Sequence, residues 1–168
     1  MIRPARPATA DTPGDGAAIA AFWNPVIRDS AATFNPVEKS AADIDAMIAE
    51  RQAAGHGFLV GLVAGQVAGF ATYAQFRGGA GYAHTMEHTI ILAPAARGHG
   101  LGRALMAALE DHARSARVHS LFAGVSAENP EGRAFHAAIG FTEIAVLPQV
   151  GRKFDRWMDL VLMQKILS

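Results

Sequence analysis

The sequence predicts a single domain of the α/β (α+β) class, and three observations support this. Its 168 residues fit one domain that can bury a substantial core. Apolar, β-branched runs alternate with segments of helical spacing in the order β-α-α-β-β-β-α-β-α-β-β. Near the middle, a strand leads directly through a glycine-rich loop into a helix. Because no repeat or linker divides the chain, we expect one domain over residues 1–168.

The first third of the chain predicts an edge strand and two helices. Residues 1–8 contain prolines that a strand tolerates only at a sheet edge. Asp15 is placed to cap a helix over residues 16–28, in which Pro25 favours a break or kink. Ser40 begins a capping-box sequence and therefore predicts the start of the second helix.

The later elements are predicted from the same patterns. A turn at Ala64-Gly65 indicates one hairpin, and a polar turn over residues 151–155 indicates another near the end of the chain. The predicted strands cover residues 58–63, 66–76, 118–126, 141–149 and 157–166, and the predicted helices cover residues 100–115 and 130–139.

The most informative stretch joins the central strand, Thr89–Leu92, to the glycine loop Arg97-Gly98-His99-Gly100-Leu101-Gly102-Arg103. Unpaired N–H groups at a helix start favour phosphate, and alternating glycines leave that backbone accessible. The loop lacks the Gly-Lys-Ser/Thr ending of a Walker motif, and its third glycine comes one residue too early for a dinucleotide fingerprint. A flexible glycine-rich turn remains the alternative.

The loop pattern Arg-x-x-Gly-x-Gly after a strand resembles the acetyl-CoA pyrophosphate loop of the GCN5-related N-acetyltransferases (GNAT). The resemblance extends over nearly the whole chain, through His84–Thr89, Glu128-Asn129, His136 and Gly140-Phe141. It implies the GNAT fold, with a mixed central sheet of about seven strands flanked by about four helices. It also implies transfer of an acetyl group from acetyl-CoA to an amine by direct attack.

Two further segments resemble one branch of this family. Val150–Leu160 and Ala32-Thr33-Phe34 are similar to the branch containing phosphinothricin and methionine sulfone or sulfoximine N-acetyltransferases. The implied acceptor is therefore the amino group of a small amino-acid-like molecule. Another small amine is the alternative within the family.

The resemblance also implies which residues bind acetyl-CoA. Backbone groups of Ile90, Ile91 and Leu92 would hold the pantetheine and acetyl group like an added strand. The glycine loop, residues 97–103, would hold the pyrophosphate through backbone N–H groups. Asn129 resembles a residue that contacts the pantetheine arm, and asparagine is also a good helix cap.

Two residues are candidates for proton transfer. Glu87 lies three residues before the implied cofactor-binding backbone, where a carboxylate can bind the ammonium and take its proton. The alternative is a carboxylate hydrogen-bonded at a strand end. His136 matches a position where relatives carry Tyr near the CoA sulfur, which makes it the candidate acid, or else a histidine packed on the sheet. Gly132 replaces a serine common in relatives, so one hydroxyl contact to the cofactor is missing.

The predicted substrate-binding residues precede or lie in the central strand. Phe76, Arg77 and Tyr82 resemble the acceptor pocket of the branch, and Glu87 would bind the amine. Arginine recognises a carboxylate through two hydrogen bonds, although a solvated loop arginine is the alternative. Ala83 stands where close relatives carry Arg, which leaves the acceptor's identity open.

The last predicted hairpin carries large apolar groups among polar ones. Phe154, Trp157 and Met158 suggest an interface, and the family resemblance also implies a homodimer. Lys153, Arg156 and Trp157 could cover the acceptor site or form that dimer contact.

Composition excludes several other classes of protein. The 15 basic and 15 acidic residues balance, which argues against nucleic-acid or membrane partners, and the absence of cysteine removes disulfides and thiolate sites. The N-terminus does not resemble a secretion signal, so we expect a cytoplasmic protein.

Two competing functions remain open at this stage. His84 and His88 flank Glu87, but the order differs from the zinc motif H-E-x-x-H, and we expect no metal. A non-catalytic module that binds acyl-CoA is the second alternative, although the presence of Glu87 and Asn129 argues against it.

Overall fold

The computed structural model describes residues 1–167. Seven strands form one sheet in the order β1-β2-β3-β4-β5-β7-β6, and four α-helices accompany it. The elements are β1 (Ile2–Pro4), α1 (Gly16–Asp29), α2 (Ala41–Ala53), β2 (Phe58–Val63), β3 (Gln66–Gln75), β4 (Thr85–Leu92), α3 (Leu101–Ser115), β5 (Ser120–Ser126), α4 (Pro130–Ala138), β6 (Thr142–Lys153) and β7 (Arg156–Ile166). The predicted fold class and the order of its elements are confirmed.

Alternation along the strands separates two hydrophobic cores. Strand residues such as Phe58 and Phe70 face one side, where they pack with apolar residues of α1 and α2. Leu59 and Tyr73 lie in the same two strands, at an odd number of residues from Phe58 and Phe70. They therefore face the other side, where they pack with α3. Helix α4 lies on this second side through Phe135. The sheet therefore separates an α1–α2 layer from an α3–α4 layer.

The sheet opens between β4 and β5. These strands run parallel and pair only from Thr85 opposite Ser120 to His88 opposite Ala123. Beyond this point β4 pairs with β3, and β5 pairs with β7. Residues 89–92 therefore have a strand partner on one side and face a widening gap on the other.

The predicted cap of α1 is wrong. The Asp15 side chain makes no cap hydrogen bond, because it accepts two hydrogen bonds from Arg3, at 2.7 and 2.8 Å, and one from the Arg6 amide. The amide of Gly16 instead donates to Asp45 of α2, at 3.0 Å. An ion pair with β1 therefore outcompetes the local cap.

The other N-terminal predictions have mixed outcomes. Helix α1 continues through Pro25 to Asp29, so the proline does not end it. The Ser40 capping box is confirmed, with the side chain of Asp43 accepting from the Ser40 amide while the Ser40 hydroxyl accepts from the Asp43 amide. The first strand is shorter than predicted and covers only Ile2–Pro4.

The final hairpin is longer than predicted. The predicted turn over residues 151–155 narrows to Phe154 and Asp155, whose φ angles are 53° and 56°. An irregularity in the pairing between Leu147 and Gly151 precedes this last segment of β6. Among residues 1–167, no helix is long and apolar enough to cross a membrane.

Candidate functional site

A cavity of about 1050 Å³ follows the gap between β4 and β5. It extends from the glycine loop at the start of α3 to residues 30–35, which follow α1. Its lining includes most of the predicted site residues: Glu87, Ile90, Ile91, Leu92, Arg97, Gly98, Gly100, Gly102, Arg103, Asn129 and His136. Segments far apart in the sequence thus meet in one place.

The glycine loop presents open backbone to this cavity. Gly98 and Gly100 have φ angles of 77° and 79°, which favour glycine, and a Cβ atom at either would meet nothing within 4 Å. Gly100 is the N-cap of α3, so the free N–H groups and partial positive charge of the helix begin there. The loop therefore has the room and the donors that an anionic phosphate requires.

Gly102 serves a different purpose from the other two glycines. It is buried, and a Cβ atom there would lie 3.2 Å from the Leu92 side chain and 3.3 Å from that of Phe135. The missing side chain therefore allows α3 to pack closely against β4 and α4. His99 and Leu101 do not line the cavity, and the Leu101 side chain lies in the core.

Asn129 caps α4, and Gly132 makes room for it. The Asn129 side-chain oxygen accepts a hydrogen bond of 2.9 Å from the Gly132 amide. A Cβ atom on Gly132 would lie 2.5 Å from the Asn129 side-chain nitrogen. The departure from serine at position 132 therefore suits the cap conformation observed here.

Glu87 is a carboxylate without a protein partner. Among residues 1–167 it forms no hydrogen bond or ion pair, although it lines the cavity beside the gap. Its side chain is open to solvent through the cavity, but the surrounding protein atoms still desolvate it and raise its pKa. A carboxylate with a raised pKa and free oxygens is suited to accept a proton.

Gly124 of β5 provides the space for this carboxylate. A Cβ atom at Gly124 would lie 2.7 Å from Oε1 of Glu87. Sequence reasoning missed Gly124, because a lone glycine in a strand does not reveal which side chain crosses it.

Gly124→Ala is expected to lower kcat/KM by up to roughly 10²-fold, because the methyl group must displace a flexible carboxylate from its working position. The melting temperature should change little, since a flexible side chain can move aside. Gly78→Ala is the matched control, because a Cβ atom there meets nothing within 4 Å. Equal activity in the two folded variants would show that the position of Glu87 is not critical.

His136 lies deep in the cavity wall and pairs with His88. The two Nε2 atoms are 2.9 Å apart, and both rings are buried. Burial lowers the pKa of His136, and burial together with the charge of His136 lowers that of His88 to about 3. Sequence reasoning considered His88 only as a metal ligand and missed this pairing.

The structure separates the two histidines of the metal hypothesis. His84 is exposed and hydrogen-bonds the Arg117 carbonyl, whereas His88 is buried against His136. In the described part of the chain, no three His, Asp or Glu side chains are grouped so that they could hold a metal ion.

Three predicted substrate-binding residues do not line the cavity. Phe76 stacks on Phe122, with ring centroids 4.4 Å apart, and Arg77 lies over the ring of Tyr82 at 5.6 Å. Phe122 lies opposite Glu87 in the sheet, so this group is near the site without forming its wall. Their role in acceptor binding stays a prediction.

The last hairpin fixes the wall formed by residues 30–35. Lys153 is buried and donates hydrogen bonds to the carbonyl oxygens of Ser30, at 2.6 Å, and Thr33, at 2.9 Å. Gly151 lies so close to Phe34 that a Cβ atom would be 2.1 Å from its ring. Sequence reasoning missed both contacts, although it associated this hairpin with the acceptor site.

Comparison with known proteins agrees with this arrangement. A model of the acetyltransferase (GNAT) family matches residues 23–141. L-amino acid N-acyltransferase MnaT of Escherichia coli is 38% identical over 150 residues, which cover 89% of this chain and 87% of that protein. An L-methionine sulfoximine/L-methionine sulfone acetyltransferase of Salmonella typhimurium is 37% identical, with 89% and 88% covered.

A solved structure shows the same fold with a ligand. That structure, yncA from Salmonella typhimurium with its cofactor acetyl-CoA, has a TM-score of 0.90 and 36% identity, covering 100% of this chain and 94% of its own. The chain therefore belongs to the acetyltransferase (GNAT) family. The resemblance predicted from the sequence is confirmed.

Proposed function

We propose that this protein is an acetyl-CoA-dependent N-acetyltransferase acting on the amino group of a small amino-acid-like acceptor. Methionine sulfone, methionine sulfoximine and phosphinothricin represent the acceptor type. The observation that carries the proposal is the unpaired Glu87 carboxylate, which lines the cavity beside the open backbone of β4. The names of the two relatives support the acceptor class.

Each part of the cavity has a separate task in this proposal. Bound acetyl-CoA supplies the thioester that the amine attacks. Residues 90–92 offer backbone groups along the gap, and Gly98 and Gly100 offer open backbone at the start of α3. Asn129, at the start of α4, also lines the cavity. Backbone groups therefore provide most of the proposed contacts with the cofactor.

Glu87 prepares the acceptor. An α-ammonium group cannot attack until it loses a proton, and the ionised Glu87 carboxylate both attracts the cation and takes that proton. Desolvation raises the pKa of Glu87 and therefore makes the carboxylate a stronger base. His136, on the other side of the strand, remains the proposed acid for the leaving thiolate.

The function is tested by CoA release with a panel of acceptors. Methionine sulfone, methionine sulfoximine, phosphinothricin, free amino acids and polyamines are compared at fixed acetyl-CoA. We expect activity with the amino-acid-like compounds and little with polyamines. Binding of acetyl-CoA without CoA release from any acceptor would instead support the non-catalytic module.

Lys153→Met is expected to raise the KM for the acceptor by roughly tenfold, the equivalent of losing about one charged hydrogen bond. The substitution keeps the apolar stem but removes the ammonium group that holds Ser30 and Thr33. Affinity for acetyl-CoA should not change, because residues 30–35 line the cavity but do not belong to the predicted cofactor-binding residues. Arg152→Met, at an exposed neighbouring residue, is the control, and an equal KM in both variants would contradict this role.

A homodimer through the last hairpin is the proposed assembly. Val150, Phe154 and Trp157 expose 52%, 51% and 58% of their surfaces, which is unusual for large apolar groups on one hairpin. Met158, predicted to belong to this set, is buried in the core instead. Light scattering at micromolar concentration should give a dimeric mass that Trp157→Asp reduces to that of a monomer. A monomeric wild type would refute this assembly.

The cytoplasmic location stays a prediction.

A further inference from the structure

We propose that His88 and His136 share one proton beyond those of two neutral imidazoles, and that this pair is the proton source for the leaving thiolate. The inference rests on the proposed acetyl transfer and assigns His88 a part in it. His88 acts through His136 and is therefore a positioning residue.

The hydrogen-bond partners of the two rings require three protons. Nδ1 of His88 lies 2.9 Å from the carbonyl oxygen of Phe122, and Nδ1 of His136 lies 2.7 Å from that of Gly132. A carbonyl oxygen only accepts, so each Nδ1 must carry a proton. The two Nε2 atoms, 2.9 Å apart, require one more proton between them. Three contacts need three protons, whereas two neutral rings carry two.

Any two-proton arrangement leaves one contact repulsive. Protons on both Nδ1 atoms would leave two Nε2 lone pairs facing each other, and moving one proton to Nε2 would leave a lone pair facing a carbonyl oxygen. Both carbonyl groups belong to backbone held in regular structure, since Phe122 is in β5 and Gly132 is in α4. The scaffold thus fixes both outer acceptors and selects the three-proton form.

The surroundings limit the pair to one additional charge. Aromatic rings pack against it, with Phe141 at 5.2 Å from His88 and Phe135 at 5.2 Å from His136. Among residues 1–167, no carboxylate or cationic side chain hydrogen-bonds either ring. Glu87 is adjacent to His88 in β4 and points to the opposite face of the strand. Lys165 of β7 donates to Glu110 of α3 and to the Ile139 carbonyl, and lies 5.9 Å from the Phe141 ring.

Burial and hydrogen bonding act in opposite directions on the extra proton of the pair. Burial disfavours charge, but one charge shared by two rings is stabilised by all three hydrogen bonds. Burial and the charge of His136 lower the pKa of His88 to about 3, and burial also lowers the pKa of His136, against the effect of its hydrogen bond to the Gly132 carbonyl. The three hydrogen bonds must therefore offset the cost of burial for the pair to hold one extra proton at neutral pH.

The proton balance of the reaction then closes. Transfer of the acetyl group forms a carbon–nitrogen bond and breaks the carbon–sulfur bond, which leaves a thiolate. The ammonium nitrogen loses two protons in becoming an amide: Glu87 takes the first before the attack and passes it to solvent, and solvent in the cavity takes the second after the attack. The pair breaks one N–H bond and gives that proton to the thiolate, which forms S–H, and the pair becomes neutral. Both histidines line the cavity in which the thiolate is proposed to form. The neutral pair then regains a proton from solvent before the next cycle.

The proton count is measured on the free enzyme by nitrogen NMR of protein labelled with ¹⁵N-histidine. At neutral pH we expect both Nδ1 atoms to be protonated and one proton to be shared between the Nε2 atoms. The exposed His84 and His112 provide internal references for single imidazoles. Two protons on the four nitrogens, or a separate titration of each ring near the usual pKa of about 6.5, would overturn the proposal.

Kinetics test the role of the pair in turnover. His88→Gln should lower kcat by roughly 10²-fold, because His136 loses its shared proton, and should shift the alkaline limb of the kcat profile. The dissociation constant for acetyl-CoA should stay the same. His84→Gln is the matched control, because His84 is also hydrogen-bonded to one carbonyl group. This substitution should leave kcat and the alkaline limb of its pH profile unchanged.

Different results would refute the transferase function and the role of the histidine pair. A wild type that releases no CoA with any acceptor would refute the transferase function but would leave the proton count of the free enzyme intact. An unchanged alkaline limb in folded His88→Gln would refute the role of the pair while the transferase function stands.

Discussion

Glu87→Gln is expected to lower kcat/KM by roughly 10²- to 10⁴-fold at neutral pH, the usual effect of removing a positioned general base. Glutamine keeps the shape of the side chain but loses its charge and its basicity. Acetyl-CoA affinity, measured by calorimetry, should be nearly unchanged, because backbone groups of β4 and the glycine loop provide those contacts. Glu131→Gln is the matched control, since Glu131 also lines the cavity but stands on α4. A Glu87→Gln enzyme with wild-type kcat/KM would show that another group accepts the proton.

The pH dependence of the wild type gives a second measurement on Glu87. Desolvation raises the pKa of its carboxyl group, so the base is lost by protonation at a higher pH than for an ordinary glutamate. We expect kcat/KM to fall on the acid side as pH falls through this raised pKa. In Glu87→Gln the residual activity should lack that acid limb.

Stability should change in the opposite direction to activity. A raised pKa means that folding favours the protonated carboxyl group, so its stabilising contribution is present at acid pH and is lost as pH rises through the raised value. At neutral pH the ionised Glu87 therefore disfavours the folded state. Glu87→Gln should melt no lower than the wild type at neutral pH, which separates a catalytic defect from misfolding.

Gly100→Leu is expected to abolish measurable acetyl-CoA binding by calorimetry. Gly100 has a φ angle of 79° and open space in front of its Cα atom, so a side chain there fills the region where we expect the pyrophosphate. The backbone strain of a left-handed leucine, about 1–2 kcal/mol, also lowers stability. This second effect must be separated from the first.

Gly65→Leu provides the matched control for that strain. Gly65, in the β2–β3 turn, has a φ angle of 80° and nothing within 4 Å of a Cβ atom, so the two glycines differ only in their place in the molecule. Both variants should melt at similarly lowered temperatures, but only Gly100→Leu should lose the cofactor. Similar acetyl-CoA affinity in the two proteins would mean that the loop does not bind the phosphates through its backbone.

The sequence was most informative where the signal is local. The Ser40 capping box, the Ala64-Gly65 turn and the glycine loop each depend on a few neighbouring residues, and the structure contains each of them. The Asp15 cap was wrong because an ion pair with Arg3, on another element, competes with the local hydrogen bond. A local pattern predicts local structure only where no distant partner binds the same side chain.

The residues that sequence reasoning missed act across long distances in the chain. His88 meets His136 over 48 residues, and Lys153 reaches Ser30 over 123. Gly124 acts only by leaving space for a side chain from another strand. Such contacts depend on the register between strands, which the spacing of apolar residues in one segment does not specify.

Because β4 diverges from β5, binding of the cofactor should also stabilise the fold against unfolding. Residues 89–92 are the interior part of a sheet whose hydrogen bonding on one side would be completed by a ligand and not by protein. A ligand that binds only the folded state adds to its stability, by about 2.7 kcal/mol at a hundredfold excess over the dissociation constant. The melting temperature of this protein should therefore follow the supply of acetyl-CoA. Amide hydrogens along residues 89–92 should exchange more slowly as that supply rises, so the protein is most resistant to unfolding when its co-substrate is abundant.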